Sequence, residues 1–301
     1  MTYRGRFAPT PSGPLHFGSL VAAVASYCQA RAQQGEWLLR IEDIDTPRVV
    51  AGADQQILRD LEAFGFEWDG PVLWQSTRFE RYQYYLDQLL DKRQACACEC
   101  SRRTLREQGV SSGPLGQIYP GNCRDKQLGI SGHSIRLNTA GAGRIGFEDA
   151  VYGHFELDLP GEVGDVVLQR TDSVYAYHLA VVVDDAEQAM TEIVRGADLL
   201  ENTCVHLYLQ QQLGFDAPAY LHFPLVNNPA GDKLSKQTGA AALDASQASP
   251  LLADALAHLG QQPESDLSES GPDEVLRWAV EHWNPSQIPA QKAARAETFE
   301  N

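Results

Sequence analysis

Positive charge is scarce in this 301-residue chain: 24 Lys and Arg face 40 Asp and Glu, a formal net charge of −16. The molecule as a whole therefore repels polyanions, and any nucleic-acid partner must meet a local basic surface. The candidates are Arg102, Arg103, Arg106, Arg124 and Lys126; on their own these read as a solvated helix face. Long apolar runs are missing too. No stretch of about 18 apolar residues occurs, and the opening Met1-Thr2-Tyr3-Arg4-Gly5-Arg6 lacks the apolar core of a signal peptide, so no membrane span and a cytoplasmic address are expected. Cysteine is limited to six residues and placed unevenly: Cys96, Cys98, Cys100 and Cys123 crowd together while Cys28 and Cys204 stand alone. In a reducing compartment such clustering points to a metal before a disulfide.

What is present is enough apolar material, 43% of residues, to bury a sizeable core in one or two domains. The first part reads as a strand (Arg4 to Ala8), a helix (Ser19 to Gln33), a second strand (Trp37 to Ile41) and a helix at about Ala53 to Phe64. This βαβ opening implies a parallel sheet with its ligand site at the carboxyl ends of the strands. Arg78 to Lys92 reads as a further helix with Phe79, Tyr82, Leu86 and Leu89 or Leu90 on one face. From about Ala95 to Leu159 the texture turns to Cys, Gly and short alternating segments, an insertion expected to lie off the sheet. Strands are expected to resume at Ala180 to Val183, Glu192 to Val194 and Tyr220 to Val226, with helices after Asp185 and Asp198. Asp184 and Asp185, between a strand and a helix on this reading, are expected to act as N-caps. Helical patterns near Leu251 to Leu259 and Asp273 to Trp283 close an Ala-rich, acidic end.

Two short segments carry chemistry. Pro11-Ser12-Gly13-Pro14-Leu15-His16-Phe17-Gly18-Ser19 joins a strand to a helix, the context in which helix amides face an anion. Lys233-Leu234-Ser235-Lys236-Gln237, with Gly231 and Gly239 nearby, is a loop able to close over phosphates and open again. In-line attack on the α-phosphate of ATP builds charge on phosphate oxygens, and His16 and Lys236 are suitable donors to it. Gly18 would let adenine lie directly against backbone. At the end of the second strand, Glu42 could hold an ammonium group, whereas Asp43 and Asp45 read as caps or as partners of Arg40 and Arg48. Arg6 and Arg195 each end a strand. Two converging guanidinium groups suit a carboxylate ligand, and pairing with a structural Asp is the alternative. Cys98, Cys100 and Cys123 supply three thiolates for a tetrahedral site, with Cys96, His133 and Tyr119 competing for the fourth position.

Together the two segments resemble the motifs of the class I aminoacyl-tRNA synthetases, commonly written HIGH and KMSKS, here His16-Phe17-Gly18-Ser19 and Lys233-Leu234-Ser235-Lys236-Gln237. The last His of the first motif is Ser19, and the Met and final Ser of the second are Leu234 and Gln237. Arg6 to Thr10, Arg40 to Asp43, Tyr175 to Ala180 and Glu192 to Gly196 are similar to the glutamate-specific branch, with Thr10 in place of the more usual Ser. The resemblance implies an α/β fold: a Rossmann-like parallel sheet split by a zinc-containing insertion, with a short helical C-terminal part. The expected division is 1–94 and 176–240 for the two halves of the catalytic fold, 95–175 for the insertion and 241–301 for the helical end. It further implies that His16, Gly18 and Lys236 bind ATP with Mg²⁺, that these and Lys233 are catalytic, and that Arg6, Tyr177 and Arg195 recognise a glutamate side chain. Glu42 then holds the ammonium group, and Ala8 and Thr10 line the pocket.

The cysteine spacing is similar to a truncated subgroup of glutamyl synthetases, which implies Cys98, Cys100, Tyr119 and Cys123 as ligands of one structural zinc. The region after Ala240 is short and acidic, which speaks against a large anticodon-binding domain there. In that subgroup glutamate, activated without tRNA, is transferred to queuosine in the anticodon of tRNA(Asp), so the expected partners are ATP, L-glutamate and queuosine-bearing tRNA(Asp), with the protein a monomer. A reduced-size glutamyl-tRNA(Glu) ligase, a small-acid adenylating enzyme and an inactive RNA- or protein-binding relative are the alternatives.

Overall fold

The computed structural model of the chain describes residues 2–227, 241–291 and 293–295, of which 227 and 293–295 are described through their backbone. Strands β1 (Arg4–Phe7) and β2 (Glu36–Ile41) pair in parallel with Arg6 opposite Leu38, and α1 (Phe17–Ala32) runs between them. Ala23, Val24, Ala25, Cys28 and Ala30 are all fully buried. Small side chains on several sides of α1 allow neighbours to approach it closely, as expected for a helix apolar around its circumference. Trp37 of β2 organises this layer. Its ring stacks on Phe7 (centroids 6.2 Å apart) and Phe66 (5.7 Å), and its indole N–H donates to Ser26 Oγ at 3.0 Å, so that the one polar atom of a large buried ring is satisfied. Strand β3 (Leu73–Trp74) adds to β2 in parallel. Helix α2 (Ala53–Ala63), followed much later by α7 (Ala248–His258) and α8 (Pro272–His282), contributes Ile57, Leu61, Leu252, Leu256, Val275 and Leu276 to the same core.

A second core gathers α3 (Phe79–Asp91), α5 (Tyr177–Glu187), β11 (Glu192–Gly196) and α6 (Leu200–Leu213). Strand β11 pairs in parallel with β12 (Ala219–Phe223), and begins where the Thr191 amide donates to the Arg4 carbonyl at 2.9 Å, beside β1. Between the halves, β4 (Ala95–Cys98), β7 (Ser134–Leu137) and β10 (Val167–Gln169) form an antiparallel sheet in the order β10-β7-β4. It carries the short helix α4 (Arg102–Glu107) and the tight pair β5 (Ser112–Gly113) and β6 (Gly116–Gln117).

Several expectations from the sequence need correction. Ala180 to Val183 is not a strand but the middle of α5, and the helix expected after Asp185 instead ends at Glu187. Four consecutive apolar residues, all buried, cannot by themselves distinguish a buried strand from a buried helix. Asp184 and Asp185 consequently cap nothing; they sit inside the helix, buried. The segment from Ala95 to Leu159 does not lie wholly off the sheet. The hairpin β8 (Arg144–Asp149) and β9 (Gly153–Asp158) extends the second sheet, with Tyr220 of β12 opposite Asp149. The single strand expected from Tyr220 to Val226 is divided at Pro224, which lacks a backbone donor, into β12 and β13 (Leu225–Asn227); β13 pairs in parallel with β14 (Ala293–Arg295).

The halves are fastened by ions. Asp185 on α5 accepts from Arg6 of β1 through Nε (3.0 Å) and Nη2 (3.3 Å), and from Arg40 Nη1 of β2 at 2.8 Å. Asp184 accepts from Gln75 (2.8 Å), Tyr82 OH (2.8 Å) and Arg78 Nε (3.0 Å). Burial pushes the Asp185 carboxyl upward, but the Arg40 and Arg6 charges outweigh it and hold the group below its ordinary 3.8. A carboxylate so depressed contributes its full stabilisation above its unfolded value and loses it only as pH falls through the lower folded one. Replacing Asp185 by Asn leaves two buried guanidinium groups short of a counter-charge, so Asp185→Asn should cost about 3–5 kcal/mol at neutral pH, measured by urea unfolding; a loss below about 1 kcal/mol would contradict this assignment.

Candidate active site

The chain leaving β1 turns through Gly13, whose φ of 132° favours a residue without a Cβ, and delivers His16 to the start of α1. His16 is the N-cap: its Nδ1 accepts from the Ser19 amide at 3.3 Å. An Nδ1 that accepts carries no proton, so in the neutral ring the proton resides on Nε2. Helix amides and an imidazole donor thus share one end of α1, the arrangement that suits a phosphate. Gly18 lies in the first turn of the same helix. Lys233 and Lys236 lie outside the described residues.

Past β2, the backbone of Glu42 donates to the Pro9 carbonyl at 3.0 Å, tying the two strand ends together. Here a cavity of about 170 Å³ opens, lined among others by Thr10, Glu42, Gln75, Tyr175 and Tyr177, with Asp45, Arg48 and Arg170 also on its wall. It is well below the ~300 Å³ typical of drug-sized sites, a size for a small polar metabolite. Thr10, Glu42 and Tyr177, separated by up to 167 positions in the chain, are therefore brought together. Ala8, half-buried, directly follows β1. Of the local partners expected for these acids, only Arg48 is found, paired with Asp45 at 2.6 Å; Asp45 also meets Arg170 (3.1 Å), Asp43 accepts from the distant Ser76 amide and hydroxyl, and Arg40 pairs with Asp185 and Glu42 instead.

The electrostatics of the wall are uneven. Burial raises the Glu42 carboxyl above its ordinary 4.5 against the opposing pull of Arg40 and Arg6, and Arg40 Nη2 donates to it at 3.3 Å. Arg6 is committed to Asp185 by two hydrogen bonds. Arg195, 6% exposed at the end of β11, donates instead to Tyr177 OH at 3.2 Å. Burial raises the Tyr177 phenol, with Arg195 pulling the other way; the hydroxyl therefore keeps its proton and, while accepting from Arg195, can donate to an anion in the cavity. The sequence gives no direct signal for His206 or His222, which bond Arg195, and names Arg40 only with partners other than the Asp185 and Glu42 it meets. Asp184 and Asp185 stand out in the sequence, but their helical placement is hidden by the apolar run before them.

In the insertion, Cys98, Cys100 and Cys123 place their sulfur atoms within 4.8 Å of one another. Tyr119 OH lies 3.2 Å from Cys98 Sγ and 3.9 Å from Cys100 Sγ, and Cys100 and Cys123 sulfurs are 3.6 Å apart. Tetrahedral coordination at about 2.3 Å to sulfur implies S···S separations near 3.8 Å, so the donor set fits an ion of zinc's size. Of the competitors for the fourth position, His133 instead meets the Gly129 carbonyl at 2.8 Å, and Cys96 does not belong to the cluster of mutually close donors. Arg136, buried, donates to Cys98 Sγ at 3.3 Å and lies 4.3 Å over the Tyr119 ring, placing positive charge beside two of the donors. The basic residues nearby are largely paired: Arg124 with Asp165, Lys126 with Glu99 and Arg103 with Glu107.

Comparison with known proteins gives the family and the fold. The family of class I tRNA synthetases (E and Q), catalytic domain, matches residues 2–251. The chain is 50% identical over 290 residues to a glutamyl-Q tRNA(Asp) synthetase of Pseudomonas syringae pv. tomato, covering 96% of each protein. It is 50% identical over 295 residues to the protein of that name from Aromatoleum aromaticum, covering 98% of this chain and 93% of the other. The glutamate-tRNA synthetase of Elizabethkingia anophelis superposes with a TM-score of 0.82 at 26% identity, over 98% of this chain and 68% of that one. A Campylobacter jejuni putative arginyl-tRNA synthetase, TM-score 0.52 at 12% identity over 88% of this chain and 64% of that one, shares the fold.

The cluster generates a test by metal removal. The purified protein should carry about one tightly held metal ion per chain by elemental mass spectrometry, and Cys123→Ser should reduce it at least ~10-fold. Unchanged metal content in that variant would remove Cys123 from the ligand set.

Proposed function

Because the chain belongs to the class I tRNA synthetases of the glutamate and glutamine type, we propose that it activates L-glutamate with ATP, without needing tRNA for that step. It then transfers the glutamyl group to queuosine at the first anticodon position of tRNA(Asp). The observation that carries the glutamate assignment is the presence, on the wall of one small cavity, of a carboxylate (Glu42) and of a phenol polarised by a buried guanidinium (Tyr177 and Arg195). Those groups match the ammonium and the side-chain carboxylate of one amino acid. The acceptor assignment is supported by relatives at about 50% identity over nearly their full length, whose names specify it.

On this reading the glutamate α-carboxylate attacks the α-phosphorus of ATP, forming the acyl–phosphate bond and expelling pyrophosphate. A queuosine hydroxyl then attacks the activated carbonyl, releasing AMP. Magnesium carried with ATP supplies neutralising charge for the leaving pyrophosphate. His16, held as N-cap with its proton on Nε2, donates to phosphate oxygens as charge builds there, with Gly18 beside the nucleotide. Lys233 and Lys236 belong to the same task from the second motif. Ala8 and Thr10 shape the pocket, while Arg6 adds to its positive potential. Cys98, Cys100, Tyr119 and Cys123 hold a structural zinc that fixes the part of the insertion whose own buried cluster is limited to these donors and Leu105. A monomer acting in the cytoplasm completes the proposal.

Incubation with ATP, labelled glutamate and tRNA from cells with and without queuosine should place the label on queuosine; label on the terminal adenosine, or label independent of queuosine, would overturn the acceptor assignment. His16→Ala should slow glutamate-dependent pyrophosphate exchange by about 10²–10³. Glu42 must be ionised to hold an ammonium group and its carboxyl is raised. Glutamate affinity, measured as KM in exchange, should therefore weaken on acidification from a pH above the ordinary carboxylate value of 4.5, and Glu42→Gln should remove the upper part of that acid limb, leaving the part due to the substrate's own side-chain carboxyl.

A further inference from the structure

Arginine presents five N–H donors, and the partners of Arg195 set it apart from its neighbours. Nε donates to His222 Nε2 (3.2 Å), Nη1 to Tyr177 OH (3.2 Å) and to His206 Nδ1 (3.2 Å), and Nη2 to Thr203 Oγ1 (2.8 Å) and the Leu199 carbonyl (3.3 Å). None of these partners is a carboxylate. Arg6 and Arg40, by contrast, both lie on Asp185. Two acidic groups act on the His222 side without bonding Arg195: Asp198 adds its charge there, and Asp149 is set behind the His222 ring. It takes the Nδ1 proton of His222 at 2.6 Å and also the amides of His222, Val151 and Tyr152.

The imidazoles are fixed in their neutral forms by who donates to whom. His222 gives its Nδ1 proton to Asp149, so Nε2 accepts from Arg195. His206 accepts at Nδ1 and directs Nε2–H to His178 Nδ1, 3.2 Å away. A proton on His206 Nδ1 or His222 Nε2 would set N–H against N–H. Burial, followed by the Arg195 charge, holds His206 well below the ordinary 6.5 and His178 at about 4.

We infer that His206, His222 and Thr203 are positioning residues for carboxylate selectivity: they orient Arg195 entirely through neutral acceptors, so that no carboxylate bonds the guanidinium directly until that of a substrate arrives on the Tyr177 side. The inference rests on the glutamate reading above and deepens it. A carboxylate acceptor at the same place would hold the guanidinium equally well, but it would cancel the field that distinguishes glutamate from its carboxamide analogue. In a water-poor site that field is strong, because little solvent screens it. The design accepts the cost of a buried cation with no directly bonded counter-charge, a cost relieved on binding.

Two variants of nearly equal shape separate charge from packing. His206→Asn keeps a neutral acceptor near the position of Nδ1, and His206→Asp replaces it with an anion. In glutamate-dependent pyrophosphate exchange, the glutamate KM of His206→Asp should exceed that of His206→Asn by about 10- to 100-fold, the range for a buried hydrogen bond to a charged group, with kcat and the KM for ATP differing less than about threefold between the two variants. The preference of His206→Asp for glutamate over glutamine should fall by a similar factor. If His206→Asp does not fold, Thr203→Asn and Thr203→Asp make the same comparison at Nη2. Equal glutamate KM values in the Asn and Asp members of a pair, with the wild type active, would overturn this inference alone. A wild type that exchanges no pyrophosphate with glutamate would overturn the functional reading and this inference with it.

Discussion

One carboxylate, Asp185, sits where three elements meet and receives hydrogen bonds from Arg6 on β1 and Arg40 on β2. Each of those strands ends at the cavity, and the helix that carries Asp185 begins at Tyr177 on the cavity wall. The separation of Glu42 from Tyr177 is thus set by how α5 docks against the two strands, and that docking is ionic before it is apolar. Breaking such a buried network by removing a single member is far costlier than its net worth as an attraction. The network therefore acts as a gauge: it admits one relative placement of strand ends and helix, and the site dimensions follow. Asp184, one residue earlier, extends the same restraint to α3 through Tyr82 and Arg78.

Much of this was legible in the residues and some was not, for identifiable reasons. The βαβ opening could be read because turn residues bracket it: Pro11 to Pro14 before α1 and Gln34-Gly35 after it. The second half was harder. Ala180 to Val183 is apolar without a break, and where an element is buried on every side the period that separates helix from strand is erased. That one misreading carried Asp184 and Asp185 with it, turning two buried ion-pair partners into supposed caps. The addition of β8 and β9 to the second sheet was equally hidden, since strand pairing depends on which edge is open and not on the local pattern.

At the site itself, the motif residues with chemical identities of their own, His16, Glu42, Tyr177, Arg195 and the cysteines, could be nominated from sequence. Their partners could not. His206 and His222 are unremarkable as sequence neighbours, one on a helix with no polar face and one in a buried strand. They acquire meaning only when β11, α6 and β12 bring them round a single guanidinium. The contrast between Arg6 and Arg195 is likewise a property of the fold: two arginines at two strand ends look equivalent, yet one is bound to an internal carboxylate and the other only to neutral groups.

Gln75 shows how far such control reaches. It lines the cavity, yet its amide nitrogen is held by Asp184 at 2.8 Å. Were the amide to rotate by half a turn, its oxygen would confront that carboxylate, so the rotation is forbidden and the oxygen is left as the end of the amide not engaged by Asp184. The sign of that part of the wall is therefore written one layer behind it, by a helix residue with no exposure to the cavity. A side chain that in solution would be an ambivalent donor and acceptor has been rectified into a one-way group, and a substrate meeting it must bring the complementary hydrogen.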